Sequence, residues 1–301
     1  MGKRTGGMWN AEEQGIHINI LELMAVRLAL LTFNKEKQLS SIHFQIDNKT
    51  ALKYLLKMGG TKSAQMVDIS KEIWEYLLSN GITITGEYLP SPLNVEADWE
   101  SRNVQDNSEW KLSPKVFQRI CQMREVPVID LFASRLSNQV KNYMAWKLDP
   151  FSIATDALQQ NWSVHRCLYA FPPFSLILRI LRKVDQEKVE KLILVTPDWQ
   201  TQVWYPRVME MSIANPILLP KLDKLLINPS GQIHPLVANK SLRLVAWTIS
   251  GKSSLRQAFQ SQLSTFCQVQ EEKVLRQITI RPGESGLAGV LNTRLIQFTV
   301  M

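Results

Sequence analysis

Apolar residues recur at helical spacing from Ile18 to Phe33, with Ile20, Leu21, Met24, Leu28 and Leu31 on one stripe and Asn19 placed as its cap. Ile42 to Ile46 then alternates as a short strand and runs into Asp47-Asn48. A second helix is predicted from Lys49 to about Met58, where Gly59-Gly60 stops it. Residues 64–79 carry a third amphipathic pattern closed by Asn80-Gly81. Ile82 to Leu89 alternates as a strand, and Pro90-Ser91-Pro92 turns the chain. Asn94 to Arg102 predicts a further helix, with Glu96 and Asp98 in its first turn, where the helix dipole favours acids. Helices and strands alternating in this order indicate an α/β layer.

The polar stretch 103–108 reads as a linker, and a second α/β rhythm follows it. Helix 113–122, strand 127–132 and a long irregular segment lead to strand-like 167–170 and Phe171-Pro172-Pro173-Phe174. Helix 175–184, strand 192–195 and a last strand, 242–249, complete this unit. Beyond Gly251 the pattern supports one short helix and then a Gly-containing tail without a clear core. Expected boundaries are therefore 1–105, 106–250 and a linker or tail over 251–301.

Composition agrees with two folded units. The chain has 301 residues, 45% of them hydrophobic and 21% charged, which excludes a disordered or fibrous chain. The formal charge of +8 is unevenly spread. Residues 1–105 hold 11 Lys/Arg against 12 Asp/Glu, whereas 106–250 hold 18 against 12 and 251–301 hold 6 against 3. Contact with a polyanion is therefore expected from the second unit and tail. Cys121, Cys167 and Cys267 form no C-x-x-C or metal spacing, pointing to a reducing, intracellular compartment, nuclear or cytoplasmic. No apolar run approaches 18 residues, so no membrane partner is expected, and no obligate protein partner can be inferred. His17, His43, His165 and His234 show no ligand spacing. The Trp residues at 146, 162, 199, 204 and 247 are expected to build the second core. Arg179, Arg182 and Lys183 crowd one helix, as a phosphate-facing patch or a solvated face.

Three acids stand where acids can hold metal. Glu22 interrupts an apolar helix face, Asp47 ends a strand, and Asp98 opens a helix after a strand and turn. Such positions can converge and bind divalent ions through oxygen, and two ions so held would drive phosphodiester hydrolysis. Asp47 reads equally as a cap of the following helix, and Asp98 as a helix-start acid with no other role. Glu22 is harder to dismiss, because an acid buried unpaired is costly.

Residues 18–26 (INILELMAV), 45–51 (QIDNKTA) and 93–102 (LNVEADWESR) resemble the ribonuclease H region of a DIRS-type retrotransposon polyprotein, over roughly residues 8–105. That resemblance implies a ribonuclease H-like fold in which four acids hold two Mg²⁺ ions and cut the RNA strand of an RNA–DNA hybrid. Glu22, Asp47 and Asp98 match three of the four, as catalytic and metal residues. The fourth belongs to a first strand that would precede Met8, so the resemblance implies a domain lacking its first strands, with impaired hydrolysis. Tyr88 stands where the family often has His.

Residues 127–210 are similar to the phage-type DNA adenine-N6 methyltransferase segment that follows ribonuclease H in such polyproteins. The resemblance implies S-adenosylmethionine as a candidate cofactor, with Asp130 near its pocket. Pro172 and Pro173 would form the loop that holds the target amine, and Phe174 the ring that stacks on a flipped adenine. Phe171 occupies the position of the family's Asp or Asn, and a phenyl ring accepts no hydrogen bond from an amine. Residue chemistry alone reads Phe-Pro-Pro-Phe as a strand stop with both rings in the core. Residues 281–290 resemble the connector toward a tyrosine recombinase, or are simply a basic tail. Three functions remain open: a ribonuclease H-like enzyme fragment acting on RNA–DNA hybrid, a non-catalytic nucleic-acid-binding relic, and a DNA adenine methyltransferase.

Overall fold

Leu23, Val26 and Leu30, spaced by three and four residues, are buried on the first helix, as is Leu21, while Met24, Leu28 and Leu31 are only half covered. The computed structural model describes residues 2–36, 39–102, 109–264 and 287–301. It contains mixed helices and strands in two units. One comprises Met1–Asn107 with Lys147–Ser152 and Pro229–Gly231, and the other Ser108–Trp146, Ile153–Asn228 and Gln232–Met301.

In the first unit α1 (Ile18–Glu36), α2 (Lys49–Leu56) and α3 (Ala64–Ser79) accompany the parallel strands β1 (Ser41–Ile46) and β2 (Thr83–Tyr88), paired from Ser41↔Thr83 to Ile46↔Tyr88. Parallel neighbours need a crossover, which α2 and α3 supply. Leu55, Ile73, Leu77 and Ile46 meet α1 in one core. A Cβ on Gly86 would lie 3.0 Å from the Leu52 side chain and 3.3 Å from the Phe44 carbonyl, so α2 approaches β2 where a side chain is missing. α4 (Val95–Arg102) follows a proline turn.

Two expected caps differ. Asn19 lies inside α1, and the ring of His17 accepts its N–H at 3.2 Å, so His17 caps the helix. Asn48, rather than Asp47, caps α2 by accepting the N–H groups of Thr50 and Ala51. Asn48 also donates to Asn19 at 2.9 Å, tying the starts of α1 and α2 together.

The second unit contains β3 (Lys111–Leu112), α5 (Pro114–Met123), β4 (Ile129–Asp130), β5 (Met144–Ala145), β6 (Ala154–Thr155), β7 (Leu168–Ala170), α6 (Ile177–Gln186) and β8 (Leu192–Pro197). It continues with α7 (Tyr205–Glu210), β9 (Ile217–Leu218), β10 (Leu226–Ile227), α8 (Pro235–Ala238), β11 (Leu244–Ile249), α9 (Ser253–Gln262), β12 (Leu287–Leu291), β13 (Arg294–Gln297) and β14 (Thr299–Val300). A six-stranded mixed sheet runs in the order β14-β9-β11-β8-β7-β4, with β4, β7 and β8 parallel. β8 and β11 are buried along their whole length, because both faces of the sheet are covered. Leu192, Leu194 and Trp247 pack with α6 and α7, while Ile193, Val195 and Ala246 pack with α5.

The expected tail is partly folded into this unit. α9 follows β11, and the β12–β13 hairpin puts Ala288 and Ile296 into the core beside Met209 and Trp204. β14 adds to the sheet through β9. Strands this short have no readable period in sequence. Residues 281–286 of the connector-like segment, and Cys267, lie outside the described residues. Trp162, Trp204 and Trp247 are buried and Trp199 packs against them, as expected, but Trp146 is 72% exposed. No described helix is long and apolar enough to cross a membrane.

Candidate functional site

Glu22 is half-buried on α1 between buried Leu21 and Leu23, and Asp47 follows the last residue of β1. The two are electrostatically coupled. Burial, and then the nearby Asp47 carboxylate, push the Glu22 carboxyl above its ordinary value. Asp98 sits in the first turn of α4, where its N–H donates to the Asn94 carbonyl at 3.1 Å. Among the described residues, no three or more His, Cys, Asp or Glu side chains are grouped to hold a metal ion. The Asp47 charge thus reaches Glu22, while Asp98 forms no group of three with them. Two carboxylates are a donor set suited to a single Mg²⁺ that keeps several of its waters. Lys49 lies over the Tyr88 ring at 4.6 Å, beside the strand ends that carry Asp47.

A second constellation forms at the carboxyl ends of β4 and β7, where parallel sheets commonly place ligands. Alternation along β4 sends Ile129 and Leu131 into the α6 side of the core and turns Asp130 the other way, toward α5. Asp130 is 2% exposed and lines a small recess together with Trp110, Leu112 and Phe132. Its Oδ1 accepts the N–H of Phe132 at 3.3 Å and its Oδ2 that of Gln139 at 3.1 Å. Burial outweighs those bonds and the nearby Lys111, and the carboxyl is pushed up to about 7. Burial also lowers the Lys111 ammonium, whose Nζ donates to the Leu136 carbonyl at 3.3 Å. Ser137, on the same wall, donates to Glu109 at 2.6 Å.

Tyr169, the register partner of Asp130 on β7, also lines the recess. Its hydroxyl is buried without a hydrogen-bond partner, and its ring stands edge-on to Phe117 at 4.9 Å. Burial and the Asp130 charge hold that phenol well above its ordinary value, so it remains a donor.

The Phe-Pro-Pro-Phe segment divides its roles. Phe171 lines the recess, Pro172 is buried and Pro173 is exposed. Phe174 turns away and packs edge-on against Trp199 at 5.3 Å and tilted against Phe171 at 6.3 Å. Of Asp130, Pro172, Pro173 and Phe174, only Asp130 lines the recess. Sequence reasoning missed Lys111, Gln139 and Tyr169. The one available signal was alternation, which places Tyr169 on the face of Asp130 once β4 and β7 are in register. At the end of β8, Asp198 is held within 3.1 Å of the Tyr205 hydroxyl and 3.4 Å of Arg243, while that hydroxyl also lies 3.1 Å from the Ala288 carbonyl. This cluster pins the β12 hairpin to the sheet.

The remaining candidates have structural roles. His234 caps α8 and contacts Trp110, and His43 pairs with Thr85 across β1 and β2. On α6, Lys183 pairs with Glu187 and lies over the Trp162 ring, leaving Arg179 and Arg182 exposed to solvent. No family model matches the chain, and no curated protein matches its sequence.

Proposed function

We propose that the chain is a retrotransposon-derived nucleic-acid-processing protein, with a ribonuclease H-like first unit and a methyltransferase-like second unit. The observation that carries this reading is the coupling of Glu22 and Asp47, two acids from separate segments that both match the family's metal ligands. Like charges are gathered at a cost, and a divalent cation offsets that cost. A bound Mg²⁺ would supply positive charge to a phosphodiester. Glu22 and Asp47 would hold it, and the surplus positive charge of residues 106–301 would draw in the nucleic-acid backbone. Methyl transfer to an adenine amine is not proposed, because Phe171 offers no acceptor there.

The test is cleavage of the RNA strand of an RNA–DNA hybrid in Mg²⁺ by the full chain and by Asp47→Asn. Slow cleavage that disappears in Asp47→Asn supports the reading. Cleavage unchanged in the variant overturns the carboxylate site. No cleavage by either protein, together with hybrid binding that weakens steeply with salt, leaves the non-catalytic binding reading in its place.

A further inference from the structure

Charge is partitioned between the two sides of the second unit's sheet. On the side of α6, α7 and α9, Lys183, Lys188, Arg207, Lys252 and Arg256 are each paired with Asp185, Glu187, Glu190 or Glu210. The α5 side differs. Lys115, Arg119, Lys221, Lys224 and Lys240 are exposed there, and Arg124 is half-buried against the Met123 and Asn215 carbonyls. None of these six forms an ion pair among the described residues. Of the acids in the same segments, 109–126 and 219–242, Glu125 pairs with Lys191 and Arg166, and Glu109 accepts from Ser137. That leaves Asp223 among six cations.

Packing gathers the cations. Helical spacing sets Val116, Phe117 and Ile120 of α5 into the core with Leu225, Val237 and Leu242, and turns Lys115, Gln118, Arg119 and Gln122 outward. The Ser113 N–H donates to the Leu225 carbonyl at 2.8 Å, so Lys224 lies beside the start of α5. A solvated helix face ordinarily mixes both signs, but α5 contains no acid. Lys115 stands in its first turn, where the helix dipole disfavours a cation, and Arg119 follows four residues on, where like charges repel. Both placements cost stability, and a polyanion on this face reverses the sign of each.

We propose that the α5 face binds the phosphate backbone of a double-stranded nucleic acid, through Lys115, Arg119 and Lys224, with Gln118 and Gln122 donating between them. The assignment rests on the nucleic-acid partner proposed above and narrows it to one face. The outward stripe of α5 carries no aromatic residue on which an unpaired base could stack, and no large apolar side chain to enter a bilayer. It offers charge and amide donors, which is what a duplex backbone presents a use for.

The test measures binding of the full chain to a short duplex DNA of mixed sequence between roughly 50 and 200 mM salt. Each phosphate contact removed flattens the slope of log affinity against log salt by about 0.9. Lys115→Gln/Arg119→Gln/Lys224→Gln should therefore weaken binding and flatten the slope by about 2 to 3. Arg179→Gln/Arg182→Gln/Lys188→Gln removes the same charge from the α6 side and should flatten it by less than half as much. All six residues are exposed, so both variants should keep the wild-type thermal midpoint. Equal flattening by the two variants would make net charge the cause and overturn the proposal. An unchanged slope in the α5 variant, with wild-type binding intact, would overturn the face and leave the nucleic-acid reading standing. No salt-dependent binding by the wild type would overturn both. Loss of binding to phosphatidylserine vesicles in the α5 variant, with duplex affinity unchanged, would overturn the proposal in favour of a membrane.

Discussion

Asp130 and Tyr169 are paired in register across β4 and β7, so a carboxyl pushed up to about 7 and a phenol with no partner leave the sheet side by side. Neither group is stabilised by the other through a hydrogen bond, and both are almost wholly buried. Such a pair is costly to fold and has measurable consequences.

The first is a pH dependence of stability. Asp130 has an ordinary value of 3.8 and is pushed up to about 7 in the folded chain. Between those values the native state keeps a proton that the unfolded chain has released, so stability falls as pH rises from about 4 to about 7 and levels off above. A shift of that size is worth roughly 4 kcal/mol at 1.36 kcal/mol per unit. Denaturant unfolding of the second unit at pH 5 and pH 8 should show more than half of that loss, and Asp130→Asn should remove most of the difference. An equal loss in the variant would place its origin elsewhere.

For the first unit, the prediction concerns Glu22. Burial is the larger cause of its raised value and the Asp47 charge the smaller. Asp47→Asn should therefore lower the Glu22 midpoint in a carboxyl-carbon NMR titration while leaving it above an ordinary glutamate. A midpoint that does not move would mean that the two carboxylates are too far apart to share an ion.

Sequence patterning resolved the elements that bury one regular face and missed those defined by partners. α3 matches its expected span of 64–79, and the cores of β8 and β11 fall within the apolar runs. α7, β9, β10 and the β12–β14 segments are too short to carry a period, and their strands exist because a neighbour's backbone is there to pair with. The site divides the same way. Glu22, Asp47 and Asp130 stand out as acids in apolar surroundings, but Tyr169 within Cys167-Leu168-Tyr169-Ala170 reads as one more core residue. Its missing partner is a property of the folded packing. The exposure of Trp146 was likewise hidden, because a tryptophan beside a strand reads as core by composition.

Gly251 marks a backbone crossing that no side chain can share. A Cβ there would stand 2.0 Å from the Val184 carbonyl oxygen and 2.8 Å from the Val189 nitrogen, while the Gly251 N–H donates to Val189 O at 2.8 Å. All of these contacts are backbone, so a neighbouring rotamer cannot relieve them. Gly251→Ala should destabilise the second unit by roughly 1–3 kcal/mol or more, as overpacking does. Gly15→Ala, which meets nothing within 4 Å, should be close to neutral in the same unfolding assay.

The adjacent residues Asp47 and Asn48 can be separated by their effects on α2. Asn48 accepts the N–H groups of Thr50 and Ala51 at 3.0 and 2.9 Å and donates to Asn19, so it satisfies two donors of the first turn and links α2 to α1. Replacing such a cap by alanine costs about 1 kcal/mol, within a range of roughly 0.5–2. Asn48→Ala should therefore speed hydrogen exchange of the α2 amides about fivefold, as a loss of that size implies. Asp47→Asn leaves the cap intact and relieves the repulsion with Glu22, so the same amides should exchange no faster than in the wild type. If Asp47→Asn instead loosened α2 as much as Asn48→Ala, Asp47 would be a structural residue of the helix start, and its place in an ion-binding pair would lose its basis.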